Sequence, residues 1–193
     1  MGGTFDPPHN GHLVTAQAVY EHFNVEKVVI IPLGDAPHKN RAISNALDRY
    51  HMVSEAIRDN GNLAVSDIEI NRRGKSFTID TIEEIKRRNP DLTVYFIMGA
   101  DEVNAIETWK NPNELLKLCK FIAVSRPGYN KDELTEKIQA VRKKFGCHMD
   151  FLEVPALDIS SSDLREKVRA HQSIKYLVPK ETEKYIDEHH LYE

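Results

Sequence analysis

The chain has 193 residues, a formal net charge of −4 and 40% hydrophobic residues. That length suits one domain with a sizeable core, and the mild acidity speaks against bulk nucleic-acid binding while leaving room for a local basic pocket for a small anion. The two cysteines, Cys119 and Cys147, lie far apart with no C-x-x-C or other metal-ligand spacing, which fits a reduced cytoplasmic setting. No apolar run approaches the roughly 18 residues of a membrane span, and no stretch reads as a signal peptide.

The chain opens on Gly2-Gly3-Thr4-Phe5-Asp6-Pro7-Pro8-His9-Asn10-Gly11-His12. Gly2 and Gly3 let the backbone approach a ligand, and Pro7 and Pro8 stiffen the turn. The run after Gly11 (Leu13, Ala16, Val19, Tyr20, Phe23) has helical periodicity. A helix start there points unpaired N–H groups and partial positive charge back at the loop, a setting that accepts phosphate. Two imidazoles in an H-x-G-H arrangement add directed donors. Together they predict a polyphosphate site built for chemistry on a nucleotide. The alternative for either histidine is a capping or core role.

Val28-Val29-Ile30-Ile31 follows as a short strand ended by Pro32, and Leu33 to Ser44 is a polar loop able to form a flap over a ligand. A helix is predicted over Asn45 to Asp59, a looser strand over Leu63 to Ile70, and a helix over Thr78 to Arg88. Val94 to Met98 is a strand that runs into Gly99-Ala100-Asp101; Phe121 to Val124 is another. The helix Lys131 to Phe145 ends on Gly146 with cations in its last turn, a C-cap pattern. Asp150 to Val154 is the last strand candidate, before helices over Ser161 to His171 and Lys180 to His189. Continuous apolar strands alternating with helices predict an α/β fold, a doubly wound and mainly parallel sheet. The expected organisation is a single domain over residues 1–193, with a helical C-terminal part from about residue 159.

Three further segments carry chemistry. In Ile159-Ser160-Ser161-Ser162-Asp163-Leu164-Arg165, Ser160 and Asp163 have a capping-box-like spacing. Hydroxyls and N–H groups there can hold phosphate oxygens, and Arg165 brings a rigid fork of donors; alone, the segment reads first as an ordinary N-cap followed by a surface arginine, and its pairing with the opening string favours the phosphate reading. Gly99 and Asp101 sit at a strand's carboxyl end, where ligands of open α/β sheets bind, and Asp101 could equally cap a short helix. Trp109 is the only tryptophan; its indole can stack on a flat ring or simply pack.

The opening string resembles the signature of the nucleotidyltransferase superfamily, and its wording is similar to that of bacterial nicotinate mononucleotide adenylyltransferases. Ile159 to Arg165 resembles the I-S-S-T-x-x-R element of the same superfamily, with Ser162 in the threonine position. The resemblance runs from Gly2 to the final helix and implies a Rossmann-like nucleotidyltransferase fold. It also implies a first strand of several residues where only Met1 precedes Gly2, so the numbered chain is expected to start late, at an internal methionine, with a short apolar extension upstream.

The implied activity is transfer of the adenylyl group of ATP to nicotinate mononucleotide, giving deamido-NAD and pyrophosphate. Gly2, Gly3, Thr4, Phe5, Gly11, Gly99, Asp101, Ile159, Ser160 and Ser161 are then ATP-binding candidates, with His9, His12 and Arg165 as catalytic groups on the triphosphate. Asp101 would take the adenosine ribose. Trp109 would stack on the pyridine ring, Ser76-Phe77-Thr78 would offer backbone donors to the nicotinate carboxylate, and His38, Lys39, Lys110 and Arg126 are further mononucleotide candidates. For Lys39 and Arg126 a solvated surface charge is the alternative. No nucleophile elbow or Walker-type string is present, so direct in-line displacement is expected, with Mg²⁺ arriving on ATP and no dedicated protein metal site. No nucleic-acid or membrane partner is expected, and assembly into a homo-oligomer stays open. The competing readings are adenylyl transfer to 4′-phosphopantetheine or nicotinamide mononucleotide, a non-catalytic ATP sensor, and an aminoacyl-tRNA synthetase fragment. The last lacks a K-M-S-K-S-like loop and a basic tRNA-binding region here. His22, His51, His148, His171, His189 and His190 read as surface or core residues.

Overall fold

The computed structural model describes residues 1–34, 43–125, 130–155 and 157–193. In chain order its elements are β1 (Gly2–Gly3), α1 (Asn10–Phe23), β2 (Val28–Pro32), α2 (Ala46–Ala56), β3 (Leu63–Val65), α3 (Thr78–Arg88), β4 (Tyr95–Gly99), α4 (Ala100–Ala105), a 3₁₀ turn (Ile106–Thr108), α5 (Pro112–Leu118), β5 (Lys120–Ser125), α6 (Lys131–Phe145), β6 (Met149–Glu153), α7 (Ser161–Arg169) and α8 (Lys180–Glu188). Two compact units result: Gly3–Lys75 with Ala156–Glu193, and Met1–Gly2 with Ser76–Pro155.

The first of these units carries the sheet β1-β2-β3. β2 and β3 are parallel, with Val28 opposite Leu63 and Ile30 opposite Val65, and the Leu33 N–H donates to the Gly3 carbonyl at 2.9 Å. β3 stops at Val65, short of the predicted Ile70. Polar side chains take the backbone away from the ladder there: Ser66 Oγ accepts from the Ile68 N–H at 3.3 Å and Asp67 Oδ2 from Asn71 Nδ2 at 2.6 Å. α2 is capped by Asn45, whose Oδ1 accepts from the Leu47 N–H at 3.0 Å. α2, α7 and α8 share a core of Met52, Leu164 and Ile186 with Ile159, Ile174 and Val178.

The second unit is built on β4-β5-β6. All pairings are parallel, with Phe96 opposite Phe121 and Phe121 opposite Met149. Phe121, Ile122 and Ala123 are all fully buried. Successive side chains of a strand point to opposite faces, so this sheet is covered on both sides, as its unbroken apolar run predicts. Ile79 and Ile82 of α3, Val103 of α4, Leu115 and Leu116 of α5, and Leu134, Ile138 and Val141 of α6 pack with Phe121, Ala123 and Met149 on one of these faces. α3 and α6 fall on the predicted bounds, and Gly146 closes α6 in the left-handed region (φ 64), its N–H donating to the Arg142 carbonyl. α5 was not expected from the sequence. Its start is marked by Pro112 at the first helical position and Leu115 and Leu116 in the core.

Candidate active site

α1 begins at Asn10, with His9 as its N-cap and His12 as its third residue. The sequence reading put the helix after Gly11; it starts two residues earlier, so Gly11 and His12 both lie inside its first turn. The arrangement is a capping box made with imidazole. The His9 N–H donates to His12 Nδ1 at 3.2 Å, which takes up one of the helix start's orphan donors. An Nδ1 that accepts carries no proton, so a neutral His12 ring is protonated on Nε2 and presents a donor at its outer end. The two rings stack, with centroids 3.6 Å apart and planes 24° from parallel. The Phe5 ring meets His12 edge-on at 4.9 Å.

Two glycines of this turn have close neighbours. A Cβ on Gly3 would stand 2.8 Å from the Phe5 ring, and one on Gly11 would stand 3.1 Å from His9 Nδ1. At Gly3 the turn's own packing is thus a constraint in addition to the ligand approach read from the sequence. Phe5 holds φ 52, an uncommon conformation for a bulky residue, and the Asp6–Pro7 peptide is cis.

α7 supplies the second half of this site within the same unit. Ser160 is its N-cap, with Oγ accepting from the Asp163 N–H at 3.1 Å. The Ser161 hydroxyl donates to the Pro7 carbonyl at 2.9 Å, so its proton is committed to the histidine turn. What Ser161 can still offer an anion is its backbone N–H, in the first turn of α7. Ile159 is a core residue, so only its backbone can face a ligand. Arg165 is 6% exposed. Its Nη1 donates to the Asp6 carbonyl at 2.5 Å and its Nη2 to Ser162 Oγ at 3.0 Å. The structure therefore brings His9, His12, Ser161 and Arg165 onto one turn, residues 6–12.

Three residues that sequence reasoning did not single out hold this turn. Arg49 of α2 is 2% exposed. Its guanidinium donates to the carbonyls of Thr4 (2.8 Å), Leu33 (2.5 Å), Gly34 (3.2 Å) and Ser44 (3.1 Å). Burial works against its positive charge, and Asp6 is first among the groups that favour it. Asp6 is buried, and Tyr192 Oη donates to its Oδ1 at 2.8 Å. One signal was legible: Arg49 stands on the stripe Arg49, Met52, Val53, Ala56, a lone charge on an otherwise apolar helix face.

In the Ser76–Pro155 unit, Gly99 ends β4 and N-caps α4, with Asp101 in that helix's first turn. The Ser76 hydroxyl is buried and has no hydrogen-bond partner among the described residues. Phe77 N-caps α3 and Thr78 is its first residue. The Lys110 Nζ lies 4.8 Å from the centre of the Phe77 ring and 2.7 Å from Asp80 Oδ1. Asp80 is an acid beside Thr78 that the sequence reading overlooked; Lys110 balances its charge. Trp109 is half-buried and meets Phe96 edge-on at 5.8 Å, against the core of this unit. His38, Lys39 and Arg126, together with most of the Leu33 to Ser44 loop, lie outside the described residues. Neither cysteine suits nucleophilic chemistry: burial pushes the Cys119 thiol up to about 12 and raises that of Cys147.

Comparison with known proteins places this geometry. The family profile described as Cytidylyltransferase-like matches residues 1–167. A protein of Thermoanaerobacter sp. (strain X514), named "Probable nicotinate-nucleotide adenylyltransferase", is 46% identical over 194 residues, covering 100% of this chain and 92% of its own. One of Desulfitobacterium hafniense (strain DSM 10664 / DCB-2) with the same name is 44% identical over 193 residues, covering 100% and 93%. Among solved structures, Plasmodium falciparum nicotinic acid mononucleotide adenylyltransferase complexed with NaAD superposes with a TM-score of 0.81 at 22% identity, over 99% of this chain and 94% of that one. That likeness establishes the α/β nucleotidyltransferase fold. The sequence matches go further: this chain belongs to the cytidylyltransferase-like family and, within it, to the nicotinate-nucleotide adenylyltransferases.

Proposed function

We propose that the chain transfers the adenylyl group of ATP to nicotinate mononucleotide, releasing pyrophosphate and giving deamido-NAD for NAD synthesis. The observation that carries this reading is the convergence of His9, His12 and Arg165 on one turn, in a chain 44% identical over its whole length to a protein named for that activity. A phosphate oxygen of the mononucleotide attacks the α-phosphorus of ATP. The bond from that phosphorus to the bridging oxygen breaks, and pyrophosphate leaves with the electron pair. A phosphate monoester is nucleophilic enough without a general base, so the protein's part is positioning and charge stabilisation.

In this proposal His12 Nε2–H and the α1 N-terminus face the α-phosphoryl oxygens, with His9 beside them on the triphosphate. The first-turn N–H groups of α7 and the guanidinium of Arg165 take the β- and γ-phosphates. Gly2, Gly3, Thr4, Phe5 and Gly11 form the wall of the turn. Asp101, next to Gly99, is assigned to the ribose. Ser76, Phe77, Thr78 and Lys110 are assigned to the mononucleotide together with His38, Lys39 and Arg126; the buried, unpartnered Ser76 hydroxyl supports this. Mg²⁺ enters as part of the MgATP substrate. No helix of the described residues is long and apolar enough to cross a membrane; the cytoplasmic site of action is proposed from the reaction itself.

The test is pyrophosphate release from MgATP with each acceptor supplied separately. Nicotinate mononucleotide is expected to be fastest, ahead of nicotinamide mononucleotide and 4′-phosphopantetheine. ATP binding without release from any acceptor would instead mark a sensor. Trp109→Ala should raise KM for the mononucleotide roughly 5- to 150-fold, the worth of a stacked ring at about 1–3 kcal/mol, and leave KM for ATP alone. Initial-rate kinetics with each substrate varied in turn reads this out; an unaltered mononucleotide KM means that Trp109 only packs on Phe96.

A further inference from the structure

The pairing of Tyr192 with Asp6 joins the last residues of the chain to its first turn, across 186 positions of sequence. We propose that Tyr192 is a positioning residue for Arg165, acting through the Asp6 carboxylate. Asp6 is 1% exposed. Its main-chain carbonyl accepts from Arg165 Nη1 at 2.5 Å, yet its Oδ2 stays 3.9 Å from the same nitrogen. A buried carboxylate beside a guanidinium tends to close into a short, two-pronged ion pair. Here one carboxylate oxygen is held instead by the Tyr192 hydroxyl at 2.8 Å. That contact keeps Asp6 from swinging onto Arg165 and preserves the alignment of the guanidinium with the turn through the Asp6 carbonyl and Ser162.

The tyrosine is itself held in place. Leu191 and Tyr192 pack against the core of Met52, Leu164 and Ile186. The Leu191 N–H donates to the Ile186 carbonyl at 3.0 Å, and Tyr192 holds φ 70. Burial, and after it the charge of Asp6, push the phenol well above its ordinary range, so the hydroxyl keeps the proton it donates. A hydrogen bond from a neutral hydroxyl engages one carboxylate oxygen without taking up its charge, which faces both Arg165 and Arg49.

This inference rests on the assignment of Arg165 to the phosphates of ATP, and the experiment separates the two. Tyr192→Phe removes one oxygen and keeps the ring. It should lower kcat/KM for ATP about tenfold and leave KM for nicotinate mononucleotide unchanged. Placed on Arg165→Ala, it should cost nothing more, because the group it positions is gone. Wild-type kcat/KM with only a lower melting temperature overturns the proposal, as does the full tenfold loss repeated on Arg165→Ala. Asp6→Asn keeps the side chain's shape and serves if Tyr192→Phe does not fold: the same loss, again with mononucleotide KM unchanged, is expected, and an unaltered kcat/KM breaks the chain of contacts at its middle link. Arg165→Ala alone identifies which idea fails. Full activity there removes the phosphate assignment and this proposal with it; lost activity there beside an intact Tyr192→Phe removes only the proposal.

Discussion

His12→Ala is expected to lower kcat about 10²- to 10³-fold, the usual worth of a preorganised donor aimed at developing charge, or about 2.7–4 kcal/mol. The basis is the direction of the ring. Because His12 Nδ1 accepts from the His9 N–H, the proton of the neutral ring sits on Nε2, and the side chain cannot turn to offer the other nitrogen without breaking the cap of α1. The stack on His9 and the edge contact with Phe5 fix the ring plane as well. Alanine also removes the cap, at a cost to stability of about 1 kcal/mol by analogy with other N-terminal caps. His12→Gln separates the two effects. A glutamine at the third helical position can restore the capping box through its amide oxygen, but it has no imidazole donor. Thermal melts of the glutamine variant should therefore recover toward wild type while single-turnover rates stay low. If both variants keep near wild-type kcat, His12 is a cap and no more, and the central assignment of the site is lost.

The helices α3 and α6 are legible to the residue because their signals are local: apolar spacing, a basic last turn and, for α6, a glycine after the end. The parallel sheet of β4, β5 and β6 is legible for a similar reason, since an unbroken run such as Phe121 to Val124 makes sense only with both faces covered. β3 ends early because Ser66 and Asp67 turn the chain through side-chain contacts, and such contacts compete with a strand in ways periodicity does not register. α5 escapes because its seven residues are too few to show a period, although Pro112 marks its start.

The site divides along the same line. His9, His12, Ser160, Ser161 and Arg165 could be found because each belongs to a compact string of residues. Their mutual orientation could not, since Arg165 reaches Asp6 across 159 positions and Ser161 reaches Pro7 across 154. The supporting layer of Arg49, Asp6 and Tyr192 is harder still. Each looks unremarkable in its own stretch and acquires meaning only when the fold gathers them. Arg49 alone left a trace, as a charge on an apolar stripe.

That trace leads to the second large effect. Arg49→Met is expected to destabilise the fold by about 3 kcal/mol or more, as removing one member of a buried charged network usually does. Methionine fills much of the space and keeps the apolar contacts of α2, so the loss falls on polar groups. Four carbonyls, of Thr4, Leu33, Gly34 and Ser44, lose their donor at once. The Asp6 charge loses one of the two guanidinium groups that face it. A buried acceptor left without a partner costs about 1–3 kcal/mol, and relaxation or entering water recovers only part of this. For a chain of this size the melting temperature should fall by roughly 6–12 °C, which calorimetry reads directly. Arg49→Lys should recover little. An ammonium has three donors on one atom, whereas the guanidinium spreads its bonds over Nε, Nη1 and Nη2 to carbonyls on three separate stretches of chain. A lysine variant as stable as wild type would show that charge alone suffices at this position. A methionine variant within 2 °C of wild type, an order-of-magnitude bound from the same scaling, would show that the four carbonyls find other donors and that Arg49 does not hold the turn.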